Sequence, residues 1–375
     1  MNTEDILRRL LAFRAVTGGP NTEITGWVAA FLEDAGAEVS VLPGPDPRRR
    51  NILASFGPRD RAGLVLSAHL DVVPAEEPDW RTDPFELTES DGQLHGRGTS
   101  DMQGFVACLL SLAPEFAKSA EARTVHLALS YDEEIGCRGV PHLLAELPTL
   151  CARPFGALIG EPTGLVPVRG HKGKAAVEVT VRGTPGHSSR PDLGRNAIHG
   201  LSRVLSRIVG EAGALEAGPV DHTFAPPFST MQAGTISGGQ ALNIIPAEAR
   251  LAMEVRAIPG VEPMDLVRPV LNELAALEAD GFGTAHDVVA TYPALTLPTD
   301  HPMTRAAEAA SGKASLGAVS FGTEAGLYQK AGIPSVICGP GDIARAHKAN
   351  EYVLRAELDA ARTFLADMVL RAAAP

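Results

Sequence analysis

Cysteine is scarce in this chain. There are four in 375 residues (Cys108, Cys137, Cys151 and Cys338), and no two form a Cys-x-x-Cys pair. That argues against a thiolate zinc clip and a disulfide-stapled secreted scaffold, and it fits a reducing cytoplasm. Aromatic side chains are only 5% of the residues, so the core has to be aliphatic, built from Ala, Val and Leu. Basic residues are outnumbered, 33 against 45 acidic, which leaves a net charge of -12. A surface of that sign argues against nucleic acid and against an anionic membrane as partner. No apolar stretch approaches the roughly 18 residues that span a bilayer. The acidic start Met1-Asn2-Thr3-Glu4-Asp5 has neither the basic nor the apolar part of an export signal. The expectation is a cytoplasmic protein with no nucleic-acid and no membrane partner. Internal repeats, low-complexity tracts and long linkers are also missing.

What is present is a large apolar fraction, 45%, in a chain long enough for two or three domains at about 150 residues each. Thr3 reads as the cap of a first helix, with Ile6, Leu7, Leu10 and Leu11 on one face. Short apolar runs follow at Gly63–Ala68, Val125–Ser130, Gly156–Gly160 and Ser335–Cys338. Bounded by turn residues, they read as strands buried on both faces. Strands and helices alternate up to Glu161, which predicts an α/β fold with a mostly parallel sheet. Near Lys172 the style changes. Ala175–Arg182 alternates as a half-exposed strand does, a helix follows from about Asn196 to Glu211, then strands at Met231–Ile236 and Arg250–Val255 and a helix from about Met264 to Leu277. Strand, helix, strand, strand, helix, strand describes a small α+β domain with an antiparallel sheet. From about Ala290 the first style returns. The expected organisation is residues 1–172 and 288–375 as one domain, with 173–287 inserted. The strand at Ala175–Arg182 and the helix after Asn196 are expected to continue one sheet across two chains.

Polar residues stand just past the carboxyl ends of the predicted parallel strands, the edge where open α/β sheets bind ligands. His69 ends the first run, Glu133 and Glu134 follow the second, Glu161 the third, and His347 lies soon after the fourth. Asp101 stands in Gly96-Arg97-Gly98-Thr99-Ser100-Asp101, where a dinucleotide loop would need a third glycine. A lone histidine after a strand is commonly structural, and paired acids commonly lie in a solvated loop. The same placement at four strand ends favours ligands. Two imidazoles and three carboxylates (His69, Asp101, Glu134, Glu161 and His347) suit a pair of borderline divalent ions. Asp71 and Glu133 lie beside ligands without being needed as such. That leaves one group to orient a histidine and one to move protons. The other histidines (His95, His126, His142, His199, His222, His286 and His301) read as structural or surface residues, and Arg48-Arg49-Arg50 as a solvated loop. Cys108 and Cys338 read as buried thiols, and Cys137 as a passive neighbour of the site.

Together with Gly186-His187-Ser188-Ser189, Leu242-Asn243-Ile244-Ile245-Pro246 and Arg256 before Pro259-Gly260, these motifs carry a resemblance over nearly the whole chain. It resembles the dinuclear zinc family that contains acetylornithine deacetylase, succinyl-diaminopimelate desuccinylase, aminoacylase and several carboxypeptidases and dipeptidases. Glu161-Pro162-Thr163, His171-Lys172-Gly173, Gly322-Thr323-Glu324-Ala325-Gly326 and Gly339-Pro340-Gly341 before Ala346-His347 are similar to the acetylornithine branch. The resemblance implies a zinc-peptidase-like catalytic domain with an inserted ferredoxin-like domain for dimerisation and as a lid. It implies two divalent ions per chain, zinc first and cobalt acceptable. His69 and Glu161 would hold one ion, His347 and Glu134 the other, with Asp101 bridging. Asp71 would accept a hydrogen bond from the far nitrogen of His69, and Glu133 would be the general base. His187, Asn243, Arg256, Gly322 and Thr323 would contact substrate, His187 from the partner of a homodimer. Glu324, in a pocket, would favour a cationic side chain. The implied substrate is an N-acyl amino acid, N2-acetyl-L-ornithine before others such as succinyl-diaminopimelate, acetyl-diaminobutyrate or a small dipeptide. A metal-dependent binding protein without turnover is the alternative of another class, and the spare acid Glu133 speaks against it. Gln103 and Glu254 depart from the family pattern, where Lys and Asp are common.

Overall fold

The apolar runs form strands in which every residue is buried: Leu64–His69, Val125–Ser130, Gly156–Pro162 and Ser335–Gly339. They run parallel in the order Val125–Ser130, Leu64–His69, Gly156–Pro162, Ser335–Gly339. The antiparallel strands Arg50–Phe56 and Glu38–Pro43 extend the sheet beyond Val125–Ser130. Alternate side chains go to opposite faces, as the strand period of two requires. Leu64, Leu66, Leu127 and Leu158 pack against Ile6, Phe105, Leu109 and Phe364 of the helices Thr3–Leu11, Gln103–Ser111 and Arg355–Arg371. Val65, Ala128, Ala157 and Ile159 pack against Leu143, Leu147 and Tyr328 of the helices Val140–Leu150 and Ala325–Lys330. This is the two-faced burial that keeps parallel strands mostly apolar along their length, with Ser67 and His126 as buried polar exceptions. The computed structural model describes residues 1–372. These elements belong to one compact unit, made of Met1–Gly170, Leu295–Val319 and the chain from Thr323 onward. The first helix differs in one detail from the expectation. Asn2 is its cap, its side chain accepting the Asp5 N–H at 2.8 Å, and Thr3 is already helical. Asn serves that position at least as well as Thr.

The second unit, His171–Ala294 with Ser320–Gly322, is an antiparallel sheet with two helices. Its strands, in spatial order, are Thr230–Gly238, Glu248–Ala257, Gly173–Arg182 and Gly283–Tyr292. Val177, Val179, Val181, Leu251, Met253 and Val255 face the helices Ala197–Glu216 and Pro263–Ala279 through Leu201, Val204, Val267 and Leu274. Asn196 caps the first of these helices, accepting from the N–H groups of Ile198 and His199. One expectation is overturned here. Gly173–Arg182 is flanked on both sides, by Glu248–Ala257 and by Gly283–Tyr292. It has no free edge to offer a second chain. The free edges are Thr230–Gly238 and Gly283–Tyr292.

Two buried histidines sit within these cores. His126 is fully enclosed, its Nδ1 paired with the Ser55 hydroxyl at 2.9 Å. Burial, then the Arg59 charge, push its pKa down from 6.5 to about 4. His171 donates its Nδ1–H to the Lys172 carbonyl at 2.8 Å, and burial again lowers its pKa to about 4. Both rings are neutral in the folded protein, whereas the unfolded chain takes up protons near pH 6.5. Their contribution is therefore complete above that pH and is lost as pH falls from 6.5 towards 4, at about 3 kcal/mol for each such shift. Urea unfolding should show stability falling over that interval, and His126→Gln should flatten the fall. An unchanged slope in His126→Gln would contradict the assignment.

Candidate active site

The five candidate ligands lie together in the first unit. His69 closes one parallel strand and Glu161 stands near the end of another. Glu133 and Glu134 follow Val125–Ser130, Asp101 lies in the turn before the helix Gln103–Ser111, and His347 follows Ser335–Gly339. Gly160, just before Glu161, is required by close approach, since a Cβ there would meet the Phe105 ring at 2.1 Å. The two Asp101 oxygens face different histidines. Oδ1 is 3.2 Å from His69 Nε2, and Oδ2 is 3.4 Å from His347 Nε2. His347 Nε2 is also 3.0 Å from Glu134 Oε2. One carboxylate shared between two imidazoles is the arrangement a bridging ligand needs. Ligand atoms of His69, Asp101 and Glu134 lie within 4.8 Å of one another, as do those of His69, Glu133 and Glu161. Glu161 Oε1 is buried and has no hydrogen-bond partner among the described residues. A buried carboxylate left so costs several kcal/mol unless a cation meets it. With imidazole and carboxylate donors and no thiolate, the residues present fit borderline divalent cations.

Crowding of buried charge sets the protonation of the cluster. Burial opposes ionisation of Asp101, but hydrogen bonds from His347 and His69 hold its carboxyl well below the usual range. The same hydrogen bonds, with Asp101 first and Glu134 second, raise His347 to about 10. Burial works against a charged His69, yet Asp101, Asp71 and Glu133 outweigh it and raise its pKa. Glu133 is pushed up to about 8 and Glu134 to about 7, by burial first. Glu161 rises well above the carboxylate range through burial, then repulsion from Asp101 and Glu133.

Two roles differ from expectation. The far nitrogen of His69 donates not to the Asp71 carboxylate but to its backbone carbonyl, at 2.8 Å, while the carboxylate oxygen is 3.7 Å away. That carboxylate accepts the backbone N–H groups of Glu133 (3.2 Å) and Glu134 (3.3 Å). Asp71 thus fixes the histidine through its main chain and the two acids through its side chain. Glu324 is not at a side-chain pocket. It is 1% exposed, accepts from the hydroxyls of Ser67 and Ser130, and lies under the strand ends beside Tyr328. Its neighbour Thr323 is also buried, its hydroxyl oxygen accepting the Ala325 N–H at 3.0 Å. Cys137 borders the site, as its place after Glu133-Glu134 implied. Its thiol is 3.1 Å from Glu133 Oε1 and donates to it.

The remaining candidates lie in the second unit. His187 is exposed, and its Nδ1 accepts the Ser189 N–H at 3.2 Å. The Ser189 hydroxyl lies 2.8 Å from the same nitrogen. The Asn243 backbone runs alongside, its carbonyl accepting the Ser188 N–H. Arg256 is held by both oxygens of Glu254, at 2.9 and 3.2 Å, so the Glu254 departure is used. Arg256 Nη1 lies 3.4 Å from the Tyr292 hydroxyl. Gly322 abuts that hydroxyl so closely that a Cβ would sit 2.2 Å from it.

A family profile decides the affiliation: that of peptidase family M20/M25/M40 matches residues 65–371. The chain belongs to that family. As an M20 protein it is a metallohydrolase. It is 32% identical to the acetylornithine deacetylase of Photorhabdus laumondii, over 97% of this chain and 96% of that one. It is 37% identical to the acetylornithine deacetylase of Myxococcus xanthus, over 92% and 91%. Among solved structures it is similar to the M20 metallo-carboxypeptidase Sso-CP2 of Sulfolobus solfataricus, with TM-score 0.80, 17% identity and 99% of each chain covered. It is also similar to the Bacillus subtilis YxeP protein, a dinuclear metal-binding peptidase of the family, with TM-score 0.65, 16% identity and 98% and 96% covered. The M20 relatives thus share the fold, and the mixed sheet with its mainly parallel centre is theirs.

Proposed function

We propose that this M20 enzyme hydrolyses the amide of N-acyl amino acids, N2-acetyl-L-ornithine first among them, to the free amino acid and acetate, as a step of arginine biosynthesis. The observation that carries the reading is Asp101 set between His69 and His347, with Glu133 beside the cluster and not needed to complete it. The substrate is taken from the relatives that bear the deacetylase name across nearly the whole chain. His69 and Glu161 would hold one ion and His347 and Glu134 the other, with Asp101 placed to serve both; imidazole and carboxylate donors would suit zinc first and cobalt also. When bound, the two ions supply Lewis-acid polarisation and a water of lowered pKa.

The residues of the chain do the rest. Glu133 takes the proton from the attacking water and passes it to the leaving amine. Asp71 keeps Glu133 and Glu134 in place through their backbone N–H groups. His187, through its Nε2, donates to the oxygen on which charge develops. Arg256, planar and permanently charged, receives the substrate carboxylate. Asn243 and Gly322 complete the substrate contacts, whereas Thr323, enclosed with its hydroxyl taken by the Ala325 N–H, acts only in holding that turn. A homodimer formed through the second unit supplies His187 in trans. Its support is the free edge strand Thr230–Gly238 with Ile236 exposed, and a groove of about 930 Å3 flanked by the exposed Ile198, Leu242 and Ile244. No helix among the described residues is long and apolar enough to cross a membrane, and cytoplasm is the proposed compartment.

The test is a hydrolysis panel of N2-acetylornithine, N-succinyl-diaminopimelate, other acetyl amino acids and dipeptides. The acetylornithine kcat/KM is expected to be the largest. An equal or larger value on the succinyl compound would overturn the substrate assignment. Glu324, enclosed as it is, lends that assignment no cationic-side-chain argument.

A further inference from the structure

Gly96-Arg97-Gly98 forms no dinucleotide loop, and Arg97 has a different use. It is 1% exposed and pairs with Glu351, equally buried, Nη1 to Oε2 at 2.9 Å. The other oxygen of Glu351 accepts two successive backbone N–H groups, Ser100 at 2.9 Å and Asp101 at 3.1 Å. On the other side, Arg97 Nη1 donates to the Lys348 carbonyl at 3.2 Å, next to His347. Arg97 Nη2 donates to the Pro74 carbonyl at 3.1 Å and to Glu77. One ion pair therefore grips the main chain at Asp101 and one residue from His347, the two candidate ligands that face each other at 3.4 Å.

The grip is asymmetric. His69 and Glu161 are carried by strands of the central sheet. His347 lies on no strand or helix, its side chain is 49% exposed, and its backbone is left-handed with φ 57°. A non-glycine residue persists in that region only where its surroundings over-determine it. Breaking a buried pair leaves an uncompensated charge, here beside the loop that presents Asp101.

We propose that Arg97 and Glu351 are positioning residues for Asp101 and His347, and that they set chiefly the affinity of the ion that His347 would hold, since the other keeps His69 and Glu161 on strands of the central sheet. The inference rests on the ligand assignment above. Outer partners of metal ligands are worth about 10- to 100-fold in affinity. The test is calorimetric titration of the metal-free protein with zinc, alongside kcat at rising zinc. Wild type is expected to bind two ions. His347→Ala should bind one. Glu351→Gln and Arg97→Lys should keep the tighter ion within about threefold and bind the second about 10- to 100-fold more weakly. Excess zinc should then return their kcat towards wild type, which a merely misfolded fraction could not show.

If His347→Ala still binds two ions, the ligand assignment fails and the inference with it. If His347→Ala loses an ion but both pair variants hold the second as tightly as wild type, the inference alone is overturned. It is likewise overturned if both pair variants lose the two ions equally, or if the metal-free variants melt more than about 10 °C lower without a change in relative ion affinity.

Discussion

Glu133→Gln is expected to keep its fold and its metal ions and to lose about 10²- to 10⁴-fold in kcat. The substitution preserves shape and removes the acid–base function. The Glu133 backbone stays tied to Asp71, and the Cys137 thiol still has an oxygen to reach. The loss belongs in kcat with little change in KM, because proton transfer is made only in the transition state. The metal count makes the experiment decisive, since Glu133 also lies within ligand distance of His69 and Glu161. A variant that loses an ion identifies Glu133 as a ligand. A metal-replete variant with near wild-type kcat means that another group is the base.

His187→Ala is expected to bind metal normally and to lose roughly 10²- to 10³-fold in kcat, the usual cost of one oxyanion donor. The side chain is exposed and its hydrogen bonds are to the neighbouring Ser189, so its removal is expected to leave the second unit intact. Ser189 occupies its Nδ1, with the N–H at 3.2 Å and the hydroxyl at 2.8 Å, which leaves Nε2 as the nitrogen to meet substrate. Mixed dimers give the sharper result. When His187→Ala and Glu133→Gln chains exchange subunits, a histidine acting in trans yields one site with both groups intact, and activity partly returns. If mixing under exchange conditions restores nothing, each chain uses its own histidine or the protein is not a dimer.

Much of this was written in the sequence, for identifiable reasons. The four runs that became parallel strands are nearly continuous because both faces are covered, and the histidines and acids at or just past their carboxyl ends are the site. The order of elements from Gly173 to Tyr292 was legible because alternation and helical period differ. The pairing was not. The neighbours of Gly173–Arg182 are Glu248–Ala257 and Gly283–Tyr292, both later in the chain, and local pattern says nothing of which strand lies inside. Asp71 could be placed beside His69 but not oriented, since its carbonyl and carboxylate sit at the same spacing. Glu324 read as a pocket acid because the hydroxyls that enclose it come from Ser67 and Ser130, 257 and 194 residues away. The Arg97–Glu351 pair spans 254 residues and has no local signature.

The most direct test of the central claim is turnover of N2-acetylornithine by metal-free protein as zinc is added back in counted equivalents. The account predicts ornithine release that continues to rise until the second equivalent per chain and is abolished by a chelator. Full activity at one equivalent, or no hydrolysis by protein shown to hold two ions, would contradict it.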